Sequence, residues 1–397
     1  MPAEHWTDTL LDAARLEMDP TADAVVRAVY EAGAVDAVNV LLMNTRRPSA
    51  ELPLPVPPAV EALVRDYLRD TAVLPAWADM EKVRLAEHLF SRHGLLASVI
   101  LCCASLPECY LDALDVPVLA STTQLSDHVY RRILETSSMV VAVMQPGGMT
   151  PGGAGLDHSQ RVRLMHAAVR HLILSRGRQG TDLPAPIPQR GRPINQESMA
   201  YVILTFSWVG LRSMQRLEVE VSDAEREAYV HAWSVIGHVM GVREDLLAHS
   251  VDEAQVLFDR IKARRRGASP EGQALTAALL GWMESEMPRP MRRLPGEMVA
   301  KLLDPADLPL LGVDPGEATH QRHSFWGGVL HLMERVVEGF EALPFGRRAA
   351  EAMFDHLVRA VWGTEKVWMA EAFALPPSLR QSWHLPDALA AASQNQA

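Results

Sequence analysis

The sequence from residue 157 to residue 174 reads DHSQRVRLMHAAVRHLIL. Apolar side chains recur in it every three or four residues, at Val162, Met165, Val169 and Ile173, which is the period of an amphipathic α-helix. His166 lies in the middle of this apolar face. The segment therefore predicts a long helix that buries one side and carries a histidine on that side.

The helical pattern continues in both directions over almost all of the 397 residues. Strand signals are nearly missing, since no alternating run is bounded by a hairpin dipeptide. Asn195 is a predicted N-cap, and Ser222 with Glu225 forms a predicted capping box. The other predicted helices cover about 79–92, 125–144, 195–212, 222–241, 251–265, 269–286, 296–304, 322–340 and 346–362. We predict an all-α protein.

Hydrophobic residues make up 48% of the chain, which is enough for a sizeable core, and no internal repeat divides it. We therefore predict a single large helical domain over residues 1–397. An apolar run, LLASVILCCASL, is predicted to end at Pro107. The glycine- and proline-rich stretch 177–193 is long for a connection in a compact domain, and we predict a lid or a substrate-facing loop.

Composition excludes several classes of function. A net charge of −11 disfavours a nucleic-acid partner, which requires clustered positive charge. The three cysteines, Cys102, Cys103 and Cys109, are too few and too close for a disulfide framework. The first residues lack a basic segment followed by an apolar one, and no apolar stretch approaches the roughly 20 residues of a membrane helix. We expect a cytoplasmic protein with no nucleic-acid partner and no membrane span.

A second helix, HVYRRILETSSMVV at residues 128–141, carries polar residues on a mostly apolar background. Arg132, Glu135 and Thr136 are spaced i, i+3 and i+4, so they share one face. Such a group is either a solvated stripe or a polar site that faces inward, and the spacing alone leaves both interpretations open.

His166 also has two interpretations. It is either a core histidine that hydrogen-bonds a carbonyl group, or the axial ligand of a haem iron, for which an imidazole on an apolar helix is required. Arg163 precedes it by three residues and Arg170 follows it by four, so an arginine near the imidazole is available to pair with a haem propionate.

These motifs together resemble the latex clearing protein (rubber oxygenase) family, which includes the MpaB-type oxygenases. The resemblance begins with R-x-x-E-T at 132–136 and L-M-H-A-A-V-R at 164–170, with His166 30 positions after Thr136. Three further stretches are similar to the family: SLPECY at 105–110, INQESMAYVILTFSWVGLRSM at 194–214 and W-x-x-x-G-H-x-x-G at 233–241. The resemblance covers about residues 80–250, which would form the oxygenase core. Residues 1–79 and 251–397 would then form helices peripheral to this core.

The resemblance implies a haem b protein with a globin-like helical core. His166 matches the proximal iron ligand and is the predicted metal ligand, while Arg132 and Thr136 match polar residues on the distal side. The implied partners are dioxygen or peroxide and a small apolar substrate, alkene-containing or lipid-like. We predict a haem-dependent oxygenase, with Arg163 and Arg170 as candidate propionate anchors.

The sequence departs from the family pattern at Glu135, where rubber-cleaving members carry a lysine. A carboxylate does not replace a neutral amine as an iron ligand, but it can accept a proton when burial raises its pKa. The family's catalytic glutamate has no clear counterpart, and Glu108 is a candidate only by neighbourhood. Rubber-cleaving members are also secreted, whereas no export signal is recognised here. These departures argue against polyisoprene cleavage as the reaction.

The sequence leaves several rival interpretations open. His238 is a second histidine on an apolar helix and is a candidate pocket residue or ligand, or an ordinary hydrogen-bonding residue. A di-iron site requires two Glu-x-x-His motifs, and only Glu317–His320 is found. The cysteines lack the loop of a haem-thiolate protein. A peroxidase-like haem enzyme, a haem sensor or carrier, and a scaffold without cofactor complete the set of competing functions.

Overall fold

The computed structural model describes residues 5–34, 40, 49–51, 54, 56–121, 129–177, 191–287, 289 and 292–314. In this part of the chain the regular structure is helical, with a single isolated β-bridge between Asp112 and Arg266. The α-helices are α1 (Asp8–Leu16), α2 (Pro20–Glu31), α3 (Pro58–Thr71), α4 (Met80–Arg92), α5 (Gly94–Ile100), α6 (Leu106–Tyr110), α7 (Val116–Ser121), α8 (Val129–Met144), α9 (Ala154–Gly177), α10 (Gln196–Phe206), α11 (Trp208–Arg216), α12 (Asp223–Val239), α13 (Val251–Arg265), α14 (Pro270–Glu286) and α15 (Leu294–Leu302). The prediction of an all-α fold is confirmed.

The predicted helix starts have their expected caps. The Asn195 side chain accepts a hydrogen bond from the Ser198 N–H at the start of α10. At the start of α12, Ser222 and Glu225 form both hydrogen bonds of a capping box. These caps satisfy backbone N–H groups that have no partner inside the helix, and for this reason they are visible in sequence.

Two helices differ from the prediction. The helix predicted over 195–212 is interrupted at Ser207, whose hydroxyl donates to the Ile203 carbonyl, and α11 continues from Trp208. A hydroxyl bonded to the carbonyl four residues earlier bends a helix. The apolar run predicted to end at Pro107 instead continues through a π-helical turn, Leu101–Ser105, into α6. Pro107 lies in the first turn of α6, where proline is tolerated.

One apolar core joins the described helices. Helix α9 packs against α2 on one side and α8 on another, and α12 also contacts it. Helix α12 packs along α4, while α10 contacts α1 and α13. Trp6, Leu11 and Ala14, from the first residues of the chain, are buried in the same core. The division into a main core and peripheral helices stays a prediction.

Some predictions fall outside the described residues. They concern the start of the helix predicted from 125, most of the loop 177–193, the helices at 322–340 and 346–362, and the motif Glu317–His320. Among the described helices, none alone is long and apolar enough to cross a membrane. The segments Met80–Arg92 and Leu96–Tyr110, which form a bent pair, together have the length and apolar composition of a membrane span.

Candidate active site

Helices α8 and α9, which carry the predicted site residues, meet at a glycine-rich turn over residues 145–153. A Cβ atom on Gly155 would lie 2.5 Å from the Ala142 carbonyl oxygen and 2.6 Å from the Val143 Cα atom. Because no side chain fits there, the two backbones pack directly against each other at this point. With a rise of about 1.5 Å per residue, Thr136 lies about 9 Å and His166 about 16 Å along their helices from this crossing.

The polar residues of α8 lie in a partly buried setting. Glu135 and Thr136 are half-buried, and the side chain of Arg132 lies outside the described part of the structure. Ser137, next to Thr136, is buried, and its Oγ has no hydrogen-bond partner among the described residues. Sequence analysis missed this serine because hydroxyl residues are common on helix surfaces.

His166 is half-buried on α9, between two different surfaces. At about 100° per residue, Arg163 and Arg170 share one side of the helix, and His166 lies roughly 40–60° from them. Val162 and Val169, both buried, lie a further 40–60° around in the same direction. The imidazole is thus placed between the side of the helix that carries the two arginines and an apolar strip of the same helix.

Arg163 is fully engaged by protein acceptors. Its Nε and Nη2 donate to the two carboxylate oxygens of Asp19 at 2.6 Å and 2.9 Å. Its Nη1 donates to the Val239 carbonyl at the end of α12, at 3.1 Å. Burial alone would lower the pKa of Arg163, but the hydrogen bonds and charge of Asp19 outweigh this effect and raise it.

Arg170 differs from Arg163 in one respect. Its Nε donates to the Asp23 Oδ1 at 2.7 Å and its Nη1 donates to the Ile194 carbonyl at 3.4 Å. Its Nη2 is buried and has no hydrogen-bond partner among the described residues. Burial raises the pKa of Asp23, and the Arg170 guanidinium only partly offsets this. Of the two predicted propionate anchors, Arg170 is the one that retains a buried donor.

Asp19 and Asp23 are functional candidates that sequence analysis missed. Asp19 is the N-cap of α2 and Asp23 follows four residues later, so both carboxylates lie on one face of this helix. That spacing was a signal in the sequence. Its meaning depended on a helix more than 140 residues away, which spacing alone does not reveal.

His238 lies beside Trp77, with 6.1 Å between the ring centroids and nearly perpendicular rings. Trp77 also contacts His231 and His249 edge-on. Burial lowers the pKa of His238, with Arg163 acting in the same direction and Glu244 opposing. The structure therefore places His238, which lies on α12, in a group of rings around Trp77. Its predicted role as a pocket residue or ligand stays a prediction.

Glu108, the neighbourhood candidate for a catalytic glutamate, lies in a buried ion-pair cluster. Its carboxylate is fully buried and contacts the Lys262 ammonium at 2.5 Å and the Arg212 guanidinium at 2.8 Å. Burial opposes protonation of Lys262, but the charges and hydrogen bonds of Glu108 and Asp307 raise its pKa. These ion pairs join α6, α11 and α13, and a catalytic role for Glu108 stays a prediction.

Within the described residues, two alternatives to His166 are a cluster of metal-binding side chains and a cysteine thiolate. No group of three His, Cys, Asp or Glu side chains there is arranged to hold a metal ion. Cys102 and Cys103 are buried, and burial raises the pKa of Cys103 to about 12. Because a haem-thiolate protein needs the thiolate form, this environment does not favour ligation by either cysteine.

Comparison with known proteins gives consistent results. The chain is 26% identical over 272 residues to the rubber oxygenase of Streptomyces sp. (strain K30), an alignment that spans 66% of this chain and 62% of that protein. It thus matches less than two thirds of the length of this relative. A solved structure of latex clearing protein LCP in the closed state superposes with a TM-score of 0.67 at 22% identity, covering 90% of this chain and 91% of the other. At this identity the superposition shows a shared fold.

The family model covers most of the chain. The model described as "ER-bound oxygenase mpaB/B'/Rubber oxygenase, catalytic domain" matches residues 91–394. This match includes α8 and α9, and an oxygenase family agrees with the prediction that the chain is an oxidoreductase. The chain belongs to the family of MpaB-type and rubber oxygenase catalytic domains.

Proposed function

We propose that the protein is a haem b-dependent oxygenase in which His166 is the axial ligand of the iron. The observation that carries the proposal is the position of His166, half-buried between Arg170 with its unused Nη2 and the buried Val162 and Val169. Haem has an apolar ring and anionic propionates. The surroundings of His166 therefore fit it in chemical character, with an apolar strip beside a cation that keeps one donor.

In this proposal, some residues of the chain would bind the haem and others would take part in the oxygenation reaction. His166 would bind iron through one ring nitrogen, and Arg170 would hold a propionate through Nη2. When bound, haem supplies the activation of dioxygen, and the protein binds, orients and tunes it. Glu135 would accept or deliver a proton, and Thr136 would orient water or dioxygen by hydrogen bonding. Arg132 would stabilise negative charge that develops during the reaction.

The proposed substrate is an apolar molecule, alkene-containing or lipid-like. The relative's name, rubber oxygenase, specifies a polymer of this character for that protein. Glu135 replaces the lysine of the rubber-cleaving members, so a polar distal group of different charge would meet the substrate here. We place the protein in the cytoplasm as a proposal, on the basis of its sequence pattern.

The first test is an absorption spectrum of the purified chain with a pyridine haemochrome assay. We expect a Soret band and about one haem b per chain, since one axial histidine binds one haem. His166→Ala should abolish tight haem binding at unchanged helix content. His158→Ala, on the same helix, is the matched control, because His158 bonds to its own helix at the Ala154 carbonyl. Retention of stoichiometric haem with an unchanged spectrum in His166→Ala would contradict the assignment.

The second test measures oxygen consumption with polyisoprene oligomers and with other apolar alkenes. Labelled dioxygen separates the reaction classes, because a dioxygenase incorporates both labelled atoms in product and a monooxygenase incorporates one. A haem-loaded chain that consumes only peroxide would support a peroxidase-like function. A haem-loaded chain that consumes neither would indicate a sensor or carrier.

A further inference from the structure

The N-terminal helices α1 and α2 precede the region that the family model matches, which begins at residue 91. They are nevertheless built into the centre of the molecule. The Trp6 indole N–H donates to the Asp245 carbonyl at 2.7 Å, and the Gln196 side chain donates to the Met18 carbonyl at 3.0 Å. These bonds join the first 20 residues to the start of α10 and to the segment after α12, so the N-terminal helices are not a loosely attached extension.

Two ion pairs connect α2 to α9 on either side of His166. Arg163 pairs with Asp19 through two hydrogen bonds, and Arg170 pairs with Asp23. The four side chains are shielded from solvent, with exposed fractions of 12% and 2% in the first pair and 1% and 12% in the second. Shielded pairs are screened far less by salt than surface pairs, so each holds its partners in a defined geometry.

The spacing of the two ion pairs along α9 determines which motions of this helix they restrain. The two arginines are seven residues apart, about two helical turns, and His166 lies between them. Added to the packing of α9 against α2, α8 and α12, two pairs about 10 Å apart restrain both the rotation of α9 and its axial position relative to α2. The rotation and the axial position of α9 also set the direction in which the His166 imidazole leaves the helix.

The backbone of Gly241 packs directly against the contact between Asp19 and Arg163. Gly241 has a φ of +86°, and a Cβ atom there would lie 2.6 Å from both Arg163 Nε and Asp19 Oδ2. Arg163 also donates to the Val239 carbonyl, so the first pair ties α2, α9 and the end of α12 together. Asp19 further accepts the Ala22 N–H as the N-cap of α2. The carboxylate is therefore fixed from three sides.

We propose that Asp19 and Asp23 are positioning residues for His166, which act by holding Arg163 and Arg170 to α2. The inference rests on the proposed function, in which His166 binds the haem iron. It assigns the N-terminal helices a function in the oxygenase site. Partners that orient a metal ligand from outside the coordination sphere contribute about 10- to 100-fold to metal affinity in other proteins.

The test compares haem retention and iron ligation in Asp19→Asn, Asp23→Asn and the double variant. Haem loss is followed by transfer to an excess of an acceptor globin, and ligation by the ferric Soret band and spin state. We expect haem loss to accelerate by about 10- to 100-fold and the spin-state equilibrium to shift. The matched control is Asp12→Asn, which removes an ion pair of α1 with Arg264 away from α9 and should leave both readouts unchanged.

The outcomes separate the inference from the function on which it rests. Asparagine variants that melt at a lower temperature but keep the wild-type spectrum and rate of haem loss have lost a merely structural contact, and they overturn the inference. If the double variant does not fold, Asp19→Glu and Asp23→Glu replace it, because they keep the charge and change the geometry of the ion pairs. A shifted Soret spectrum in these variants supports the inference, and an unchanged spectrum overturns it. A wild-type chain that takes up no haem overturns the proposed function and this inference with it.

Discussion

The crossing of α8 and α9 at Gly155 provides the sharpest test of how the fold supports the site. Gly155→Ala adds one methyl group whose carbon would lie 2.5 Å from the Ala142 carbonyl oxygen. The obstacle is backbone, so no rotamer change relieves it. The two helices must move apart by about 0.9 Å to reach an ordinary contact, in an interior packed as densely as an organic crystal.

The expected loss of stability follows from this overlap. Overpacking a filled site costs about 1–3 kcal/mol. Gly281 provides a matched control on α14, because a Cβ atom there would have no atom of the described residues within 4 Å. Replacing a helical glycine by alanine in open space stabilises a protein by about 0.5–1 kcal/mol. The same substitution should therefore have opposite effects at the two positions.

Both variants are measured by urea denaturation, and haem loading is determined in parallel. In Gly155→Ala, the displacement of α8 relative to α9 should also change the site, because a misplacement of about 1 Å between reacting groups can cost about 100-fold in rate. A Gly155→Ala protein as stable as Gly281→Ala, with wild-type turnover, would refute the claim that this crossing sets the geometry of the site.

Three further predictions follow from individual side chains. Glu135→Gln should lower oxygen consumption across the pH range while haem loading stays unchanged, and equal turnover at every pH would contradict a function in proton transfer. Glu108→Gln should reduce the free energy of unfolding by about 1.5–3 kcal/mol in denaturant titration, because it removes the charge-assisted contacts to Lys262 and Arg212 while Asp307 still pairs with Lys262. His231 accepts the Asp79 N–H through Nε2 at 2.9 Å, and burial lowers its pKa. The unfolded chain therefore binds a proton that the folded chain resists, so stability falls as the pH drops through about 6.5, and His231→Gln should reduce this acid dependence in melting curves.

Much of the fold could be predicted because it depends on local rules. The starts of α10 and α12 were visible from Asn195 and from Ser222 with Glu225, since a cap is a contact within four residues. The break at Ser207 was missed because nothing in its neighbours distinguishes a serine that bonds back to its helix from one that points to solvent. The π-helical turn at Leu101–Ser105 was missed because its five residues read as ordinary apolar helix.

The two arginines beside His166 show why the site was harder to predict than the fold. Helical spacing predicts that Arg163 and Arg170 share a face with the histidine, and it treats them as equivalent propionate anchors. Each nitrogen of Arg163 donates to Asp19 or to the Val239 carbonyl, whereas Arg170 keeps a buried Nη2 without a partner in the described residues. A buried donor without an acceptor costs about 1–3 kcal/mol, more when it is charged, so such a group is a reason to expect an anion beside it. The difference between the arginines arises from their partners on α2 and α12, which are distant in sequence. These partners use every nitrogen of Arg163 to hold α9 and leave one nitrogen of Arg170 available to a ligand.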